Sequence, residues 1–238
     1  MCSKLSQFLL PFLLCISLNT SGQTSSSIPA DFIETNIPKV RSSEWYSLNN
    51  SSNEFSVKII NKKLHIRKVS EVNHCEFKLT NGSLMGTDQG EWGGKLTFKP
   101  LLSTKDPIEI KKGNIKFLFS LKDKIYFIEG IAHGSINEGS LFELLNTEGK
   151  FSYQKILDFD DAPEAFSMSD DTLFIATHQN FYIVKDFKKH LIFEKTFWQS
   201  LYPNSIAVLN DRNVFLGIRG GIVKLDLTAK TMKFYKKR

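Results

Sequence analysis

Little in this chain declares a function outright. It has three cysteines in 238 residues, Cys2, Cys15 and Cys75, and no CxxC pair. That excludes a disulfide framework and a cysteine-based zinc site. No HExxH, G-x-S-x-G elbow, P-loop or dinucleotide fingerprint occurs, so nucleophilic hydrolysis and nucleotide binding have no motif behind them. Gly139-Ser140-Leu141 reads as a turn into a strand. Long stretches of helical period are almost absent, which argues against a helical fold. Beyond the first two dozen residues, no run is apolar enough to cross a bilayer.

Charge of one sign is also not concentrated. Lys and Arg number 31 against 25 Asp and Glu, a formal balance of +6. The cations are scattered, with a modest cluster at Lys230, Lys233, Lys236, Lys237 and Arg238. That pattern reads as a solvated, slightly basic surface, and no nucleic-acid partner is expected.

What is present begins with an export signal. Lys4 supplies a positive first region, Phe8–Leu18 an apolar core, and Asn19–Gly22 a polar, small-residue stretch. The core is short for a membrane span and is broken by Pro11. The expected organisation is a signal peptide over residues 1–22, a polar tether over 23–44 and one β domain over 45–238. An exported protein of this kind is periplasmic, cell-surface or secreted. Leu13 and Leu14 stand before Cys15 where lipidation would call for small residues, so Cys15 is read as part of the signal. Cleavage would leave Cys75 alone, a small apolar core residue, and packing would have to supply the stability. The tether is rich in Ser, Thr, Pro and Asn, with Phe32-Ile33 a candidate pairing segment.

The clearest structural unit is Tyr202–Leu227. Apolar runs at 205–209, 214–218 and 222–227 are separated by the polar turn Asn210-Asp211-Arg212-Asn213 and by Arg219-Gly220-Gly221. Three short strands joined by tight turns make most of one antiparallel sheet. Related hairpins start at Phe55, Cys75, Lys116 and Glu164, each with Asn or Asp near its turn. The turns at Asn81, Asp123, Asp170 and Asp211 recur every ~40 to 47 residues, the span of a four-stranded propeller blade. Asn61 lies half a period before Asn81 and fits a c–d turn of a first, incomplete blade whose b strand would be Glu44–Leu48. The predicted fold is therefore all-β, a β-propeller of five blades of four antiparallel strands with the first incomplete. Phe is frequent, at 20 residues, as suits sheets packed face to face.

Gly217–Asp226, GIRGGIVKLD, preceded by Asn204–Val208, resembles the propeller repeats of two-component-regulator sensors. More broadly, residues 75–235 are similar to exported bacterial β-propeller repeat proteins. The stretches GEWGG, DAPEAF and ATHQNFY add to that likeness. The resemblance implies the propeller fold and brings no activity over to this chain.

Propeller geometry turns the repeat into a map. The b–c turns and d–a connections lie on the face opposite the Asn and Asp turns, and such loops commonly carry sites. They hold residues 89–94, 132–134, 178–180, 219–221, 160–164 and 202–204. Glu91, Trp92, His133, Glu164, His178 and Arg219 thereby fall on one predicted face. Each also has a structural reading. The glycines of GEWGG can serve tight turns, Trp92 can wedge between blades, and the histidines can bond nearby backbone. Glu164 can cap a turn or pair with Arg219.

The first functional expectation is a monomeric, non-enzymatic module binding a small polar molecule, a glycan or a peptide. Trp92 would stack, Arg219 would meet a negative group, and Asn204 and Gln179 would add polar contacts. The alternative is an enzyme, a hydrolase, lyase or cyclising transferase, with Glu91 or Glu164 as base and His133 or His178 as acid. Plant-type glutaminyl cyclases offer an analogy of fold and size alone. No cofactor is expected, although those two imidazoles and carboxylates together would suit a divalent metal ion. A third reading makes the face a protein-docking platform.

Overall fold

In a computed structural model, residues 28–69, 74–101, 106–147 and 149–238 are described. The stretch read as an export signal, its expected cleavage site, Cys2 and Cys15 lie outside these residues.

Turn chemistry builds the hairpins. Asn61 and Lys62 have φ of 51° and 60°, and Lys122 and Asp123 have 50° and 61°. Both are two-residue turns with positive φ, whose twist matches that of the flanking strands. Ile60 pairs with Lys63 across the first and Leu121 with Lys124 across the second. The pairs Leu79–Gly82, Ser169–Thr172 and Asn210–Asn213 close the turns at Asn81, Asp170 and Asp211. Every recurring turn read from the sequence is thus a hairpin.

The strands form five antiparallel sheets. A two-stranded sheet joins β2 (Phe55–Ile60) to β3 (Lys63–Lys68). The next holds, in order, β4 (His74–Leu79), β5 (Gly82–Thr87), β6 (Lys95–Pro100) and β7 (Ile108–Lys112). Then come β8 (Ile115–Leu121), β9 (Lys124–His133), β10 (Ile136–Thr147) and β11 (Lys150–Phe159). A fourth sheet is β12 (Pro163–Ser169), β13 (Thr172–Thr177), β14 (Phe181–Lys185) and β15 (Lys188–Phe193). The last is β16 (Ser205–Asn210), β17 (Asn213–Ile218), β18 (Gly221–Asp226) and β19 (Thr231–Lys237), with β1 (Phe32–Thr35) added beyond β19. The first strands of successive sheets, β4, β8, β12 and β16, neighbour one another, and β2 neighbours β16. The arrangement is propeller-like.

Alternation along the strands supplies the packing. Leu84, Leu96 and Phe98 meet Ile115, Phe127 and Phe142 between the second and third sheets. Ile128 and Leu141 meet Ile175 and Tyr182 between the third and fourth. Ala165, Phe174 and Phe181 join Val214, Leu216 and Val223 between the fourth and fifth. Phe55, Val57 and Leu64 meet Ala207, Phe215 and Ile222 between the fifth and the β2–β3 pair. Among the described residues, no buried apolar cluster joins β2–β3 to β4–β7. By alternation, the faces left over carry Lys58, His65 and Arg67 on one sheet and Glu76, Lys78 and Lys99 on the other. Ile60 and Met85 also stand on these faces, but they are too few among charged neighbours to form a dry core.

Two sequence expectations about the start of the domain change. Glu44–Leu48 is not a strand, because Ser43–Asn49 is an α-helix, α1. Ser42 Oγ accepts from Trp45 N at 3.3 Å as an N-cap, and Glu44 sits in the first turn. Trp45 and Leu48, three residues apart, share one buried face. Trp45 Nε1 donates to Phe197 O at 2.8 Å, which fastens the helix beneath the last two sheets. The candidate pairing segment Phe32-Ile33 lies in β1, which pairs from Phe32–Lys237 to Thr35–Phe234. The second change is that β2 occupies the position of a first strand beside β16, so Asn61 closes the first hairpin of its sheet and not a c–d turn.

Candidate functional site

The loops between second and third strands, and those linking one sheet to the next, gather around a pocket of about 860 Å³. Its lining includes Glu54 and His74, Asp88 and Trp92, Asn114 and Lys116, then Glu164 and Asn204. These residues come from all five sheets or the loops joining them.

The loop carrying Trp92 is held firmly even though its tip is open. Asp88 Oδ1 accepts from Gly90 N at 3.0 Å, and Asp88 Oδ2 is ion-paired with Lys116 Nζ on β8. Asn114, almost wholly buried, donates from Nδ2 to Gly90 O at 2.8 Å and accepts from Gln89 N at 3.3 Å. Gly90–Trp92 form one 3-10 turn, closed by Gly93 at φ 82°. A Cβ at Gly94 would lie 2.1 Å from Thr87 O, so that position excludes any side chain. Trp92 itself is 83% exposed and packs as no wedge between sheets. Beside it, His133 Nε2 lies 2.9 Å from Glu91 Oε2, both largely in solvent.

A second pair is sheltered. His178 Nδ1 lies 2.8 Å from Glu164 Oε1, and the two side chains are only 15% and 12% exposed. The hydrogen bond to Glu164 raises the His178 pKa, against an opposing pull from burial. Glu164 Oε2 and Asn204 Nδ2 are buried without a protein hydrogen-bond partner. Both residues line the pocket. Buried polar atoms normally find a partner, which makes these two notable.

The remaining expected residues serve other ends. Arg219 lies outside the lining and does not pair with Glu164. Its Nε and Nη2 donate to Glu54 Oε1 at 2.8 and 2.6 Å, its Nη1 donates to Asn49 O at 3.0 Å, and its guanidinium lies 4.2 Å from the Tyr202 ring centre. Gln179 uses its backbone, donating N–H to Asp161 Oδ2 at 2.7 Å and accepting at O from Thr196 Oγ1 at 3.0 Å. Asp161, fully buried, also accepts from Asn180 Nδ2 at 3.0 Å. Asn180 Oδ1 in turn accepts from Lys195 N at 2.9 Å. DAPEAF and ATHQNFY are thus two halves of one turn-fastening network, with Glu164 and His178 at its edge.

The structure therefore brings Trp92, Glu164 and Asn204 to one pocket, with His178 bonded to Glu164. It holds Glu91 and His133 as a separate exposed pair. Among the described residues, no three side chains of His, Cys, Asp or Glu gather as a metal-holding group. Asp88, Lys116, Asn114, His74 and Glu54 were missed by sequence reasoning. Asn114 was findable, since 113–114 is a connection between sheets like the two that were read. Asp88 and Lys116 carry no local signal, because their pairing spans 28 residues and two sheets.

No protein-family model and no curated protein matches the chain. Among solved structures, the computationally designed Ika8 protein, in a P63 crystal packing, aligns over 77% of this chain and 70% of its own at 8% identity, with a TM-score of 0.32. A similarity of that size carries no argument about fold or function.

Proposed function

We propose that this is an exported five-bladed β-propeller that binds a small polar molecule, glycan or peptide in the 860 Å³ pocket. The single observation behind the binding role is convergence. Polar side chains from separate sheets meet at one pocket, and two of its lining residues, Glu164 and Asn204, hold buried atoms that no protein group satisfies. Trp92 gives a planar ligand a surface at the rim. The five-blade reading rests on five sheets whose first strands lie side by side. Export rests on Lys4 and the apolar core Phe8–Leu18. Among the described residues, no helix is long and apolar enough to cross a membrane.

A thermal-shift screen against sugars, amino acids and short peptides tests the binding role, because a ligand of the native state raises its stability. The hit should lose its shift in Trp92→Ala, whose exposed ring is not needed for folding, and in Asn204→Ala. A shift that survives both would place the ligand elsewhere. The Glu164–His178 pair favours a second reading, acid–base catalysis at the same pocket. Mass spectrometry of the hit after incubation separates the two. Conversion abolished by Glu164→Gln with binding retained would make the protein an enzyme, and an unchanged hit leaves it a binding module.

A further inference from the structure

The β2–β3 pair is half a sheet. The other four sheets each continue beyond their second strand, whereas among the described residues β3 pairs with β2 alone. Hydrogen bonding fixes which groups this leaves over. Val57 N points away from β3, donating to Ser205 Oγ at 2.9 Å, and Val69 N donates to Glu54 O at 2.9 Å. In an antiparallel pair, inward and outward groups alternate. The N–H and C=O groups of Leu64, Ile66 and Lys68 therefore point outward, and no backbone partner meets them among the described residues.

The surroundings of that edge are specific. Next to the Ile66–Lys68 end of that edge is a hollow of about 510 Å³. Its apolar lining includes Phe32, Phe55 and Ile66, and its cations are Arg67, Lys68, Lys237 and Arg238, against one acidic side chain, Asp31. Asp31 already has Lys237 at 3.7 Å. On the opposite face of the pair stand Lys58, Lys63, His65 and Arg67, with no acid between them. Among the described residues, Lys58, Lys63, Arg67 and Lys68 form no ion pair.

We propose that the outer edge of β3 is a strand-addition site for an extended segment of a partner protein in which acidic and apolar residues alternate. The segment's backbone would bond Leu64, Ile66 and Lys68. Its apolar side chains would enter the hollow beside Ile66 and Phe32, and its acids would stand over Lys63, His65 and Arg67. A second copy of this chain is a poor occupant, since β3 against β3 sets cations over cations. Residues 1–27 of this chain carry no Asp or Glu to match the edge. This site lies apart from the loop-face pocket and does not depend on it.

The test uses the whole protein and a fluorescein-labelled Asp-Val-Glu-Ile-Glu-Val peptide read by anisotropy. Binding should weaken at least tenfold in the exposed-residue variant Lys63→Glu/Arg67→Glu. It should weaken similarly when alternate peptide nitrogens are methylated, which keeps charge but removes edge bonding. Hydrogen exchange should show new protection at Leu64, Ile66 and Lys68 when the peptide binds. Equal binding by the methylated peptide or by polyglutamate would reduce the site to ion exchange and overturn the proposal. Absence of binding would do the same, as would a dimer in which β3 is already protected.

Discussion

Arg219 and Glu54, 165 residues apart, form a two-armed contact in which Nε and Nη2 share one carboxylate oxygen at 2.8 and 2.6 Å. The two residues also form a lone antiparallel backbone bridge. With Nη1 on Asn49 O and the Tyr202 ring beneath the guanidinium, this one side chain ties α1, the start of β2 and the β17–β18 turn together. It is a clasp between the beginning and the end of the domain.

Arg219→Ala should therefore lower stability by about 2 kcal/mol, since it strands a half-buried carboxylate and a backbone carbonyl. Arg219→Lys should recover only part of this, because an ammonium cannot reproduce the fork. Urea denaturation should show a lower midpoint with an unchanged slope. A loss under ~0.5 kcal/mol would mean that the clasp is ornamental.

The Glu164–His178 pair sets a pH dependence whose sign follows from the raised pKa of His178. Its contribution is full below the ordinary histidine value of about 6.5 and is lost as pH rises through the higher folded value. The stability difference between the native chain and His178→Gln should accordingly shrink as pH climbs above about 6.5. Denaturation curves of both proteins across that range check it. A difference that grows with pH would contradict the assigned pairing.

Asp161 is a buried carboxylate satisfied by neutral donors, Gln179 N and Asn180 Nδ2. Asp161→Ala leaves both donors unsatisfied in a dry turn and should cost about 3 kcal/mol. Because Glu164 follows three residues later, the same variant should also abolish any ligand shift at the pocket. A ligand shift of full size in a folded Asp161→Ala would show that the pocket does not need this network.

Cys75 should be a sluggish thiol. Burial pushes its pKa up to about 11, and its Sγ sits 3.8 Å from Ile115 O under the packed second and third sheets. At pH 8 the thiolate fraction is then very small. Labelling of the native protein with a thiol reagent should be far slower than that of the denatured chain. Comparable rates would contradict the packing around it.

Much of the architecture could be read along the chain because its causes are local. Asn61, Asp123, Asp170 and Asp211 mark turns through their own backbone preferences, and the strands beside them alternate. The same locality misled at Glu44–Leu48. Five residues cannot distinguish a strand from a helix, and the Ser42 cap with Trp45 and Leu48 on one face decided for the helix. At the candidate site, the map of loops placed Trp92, Glu164 and Asn204 on a common side. It could not tell that Arg219 is occupied by Glu54, or that Asp88 and Lys116 meet.

By itself, then, the sequence determined the period of the sheets, the positions of their turns and the side of the molecule to which the loops belong. These follow from torsional preferences and alternation within a few residues. Only the tertiary structure decided which polar groups are satisfied and which are left over. The partners of Arg219, His178 and Glu164, and the edge that β3 leaves open among the described residues, follow from how the sheets stack. Pairings of that kind depend on distances across the fold, which no local pattern along the chain encodes.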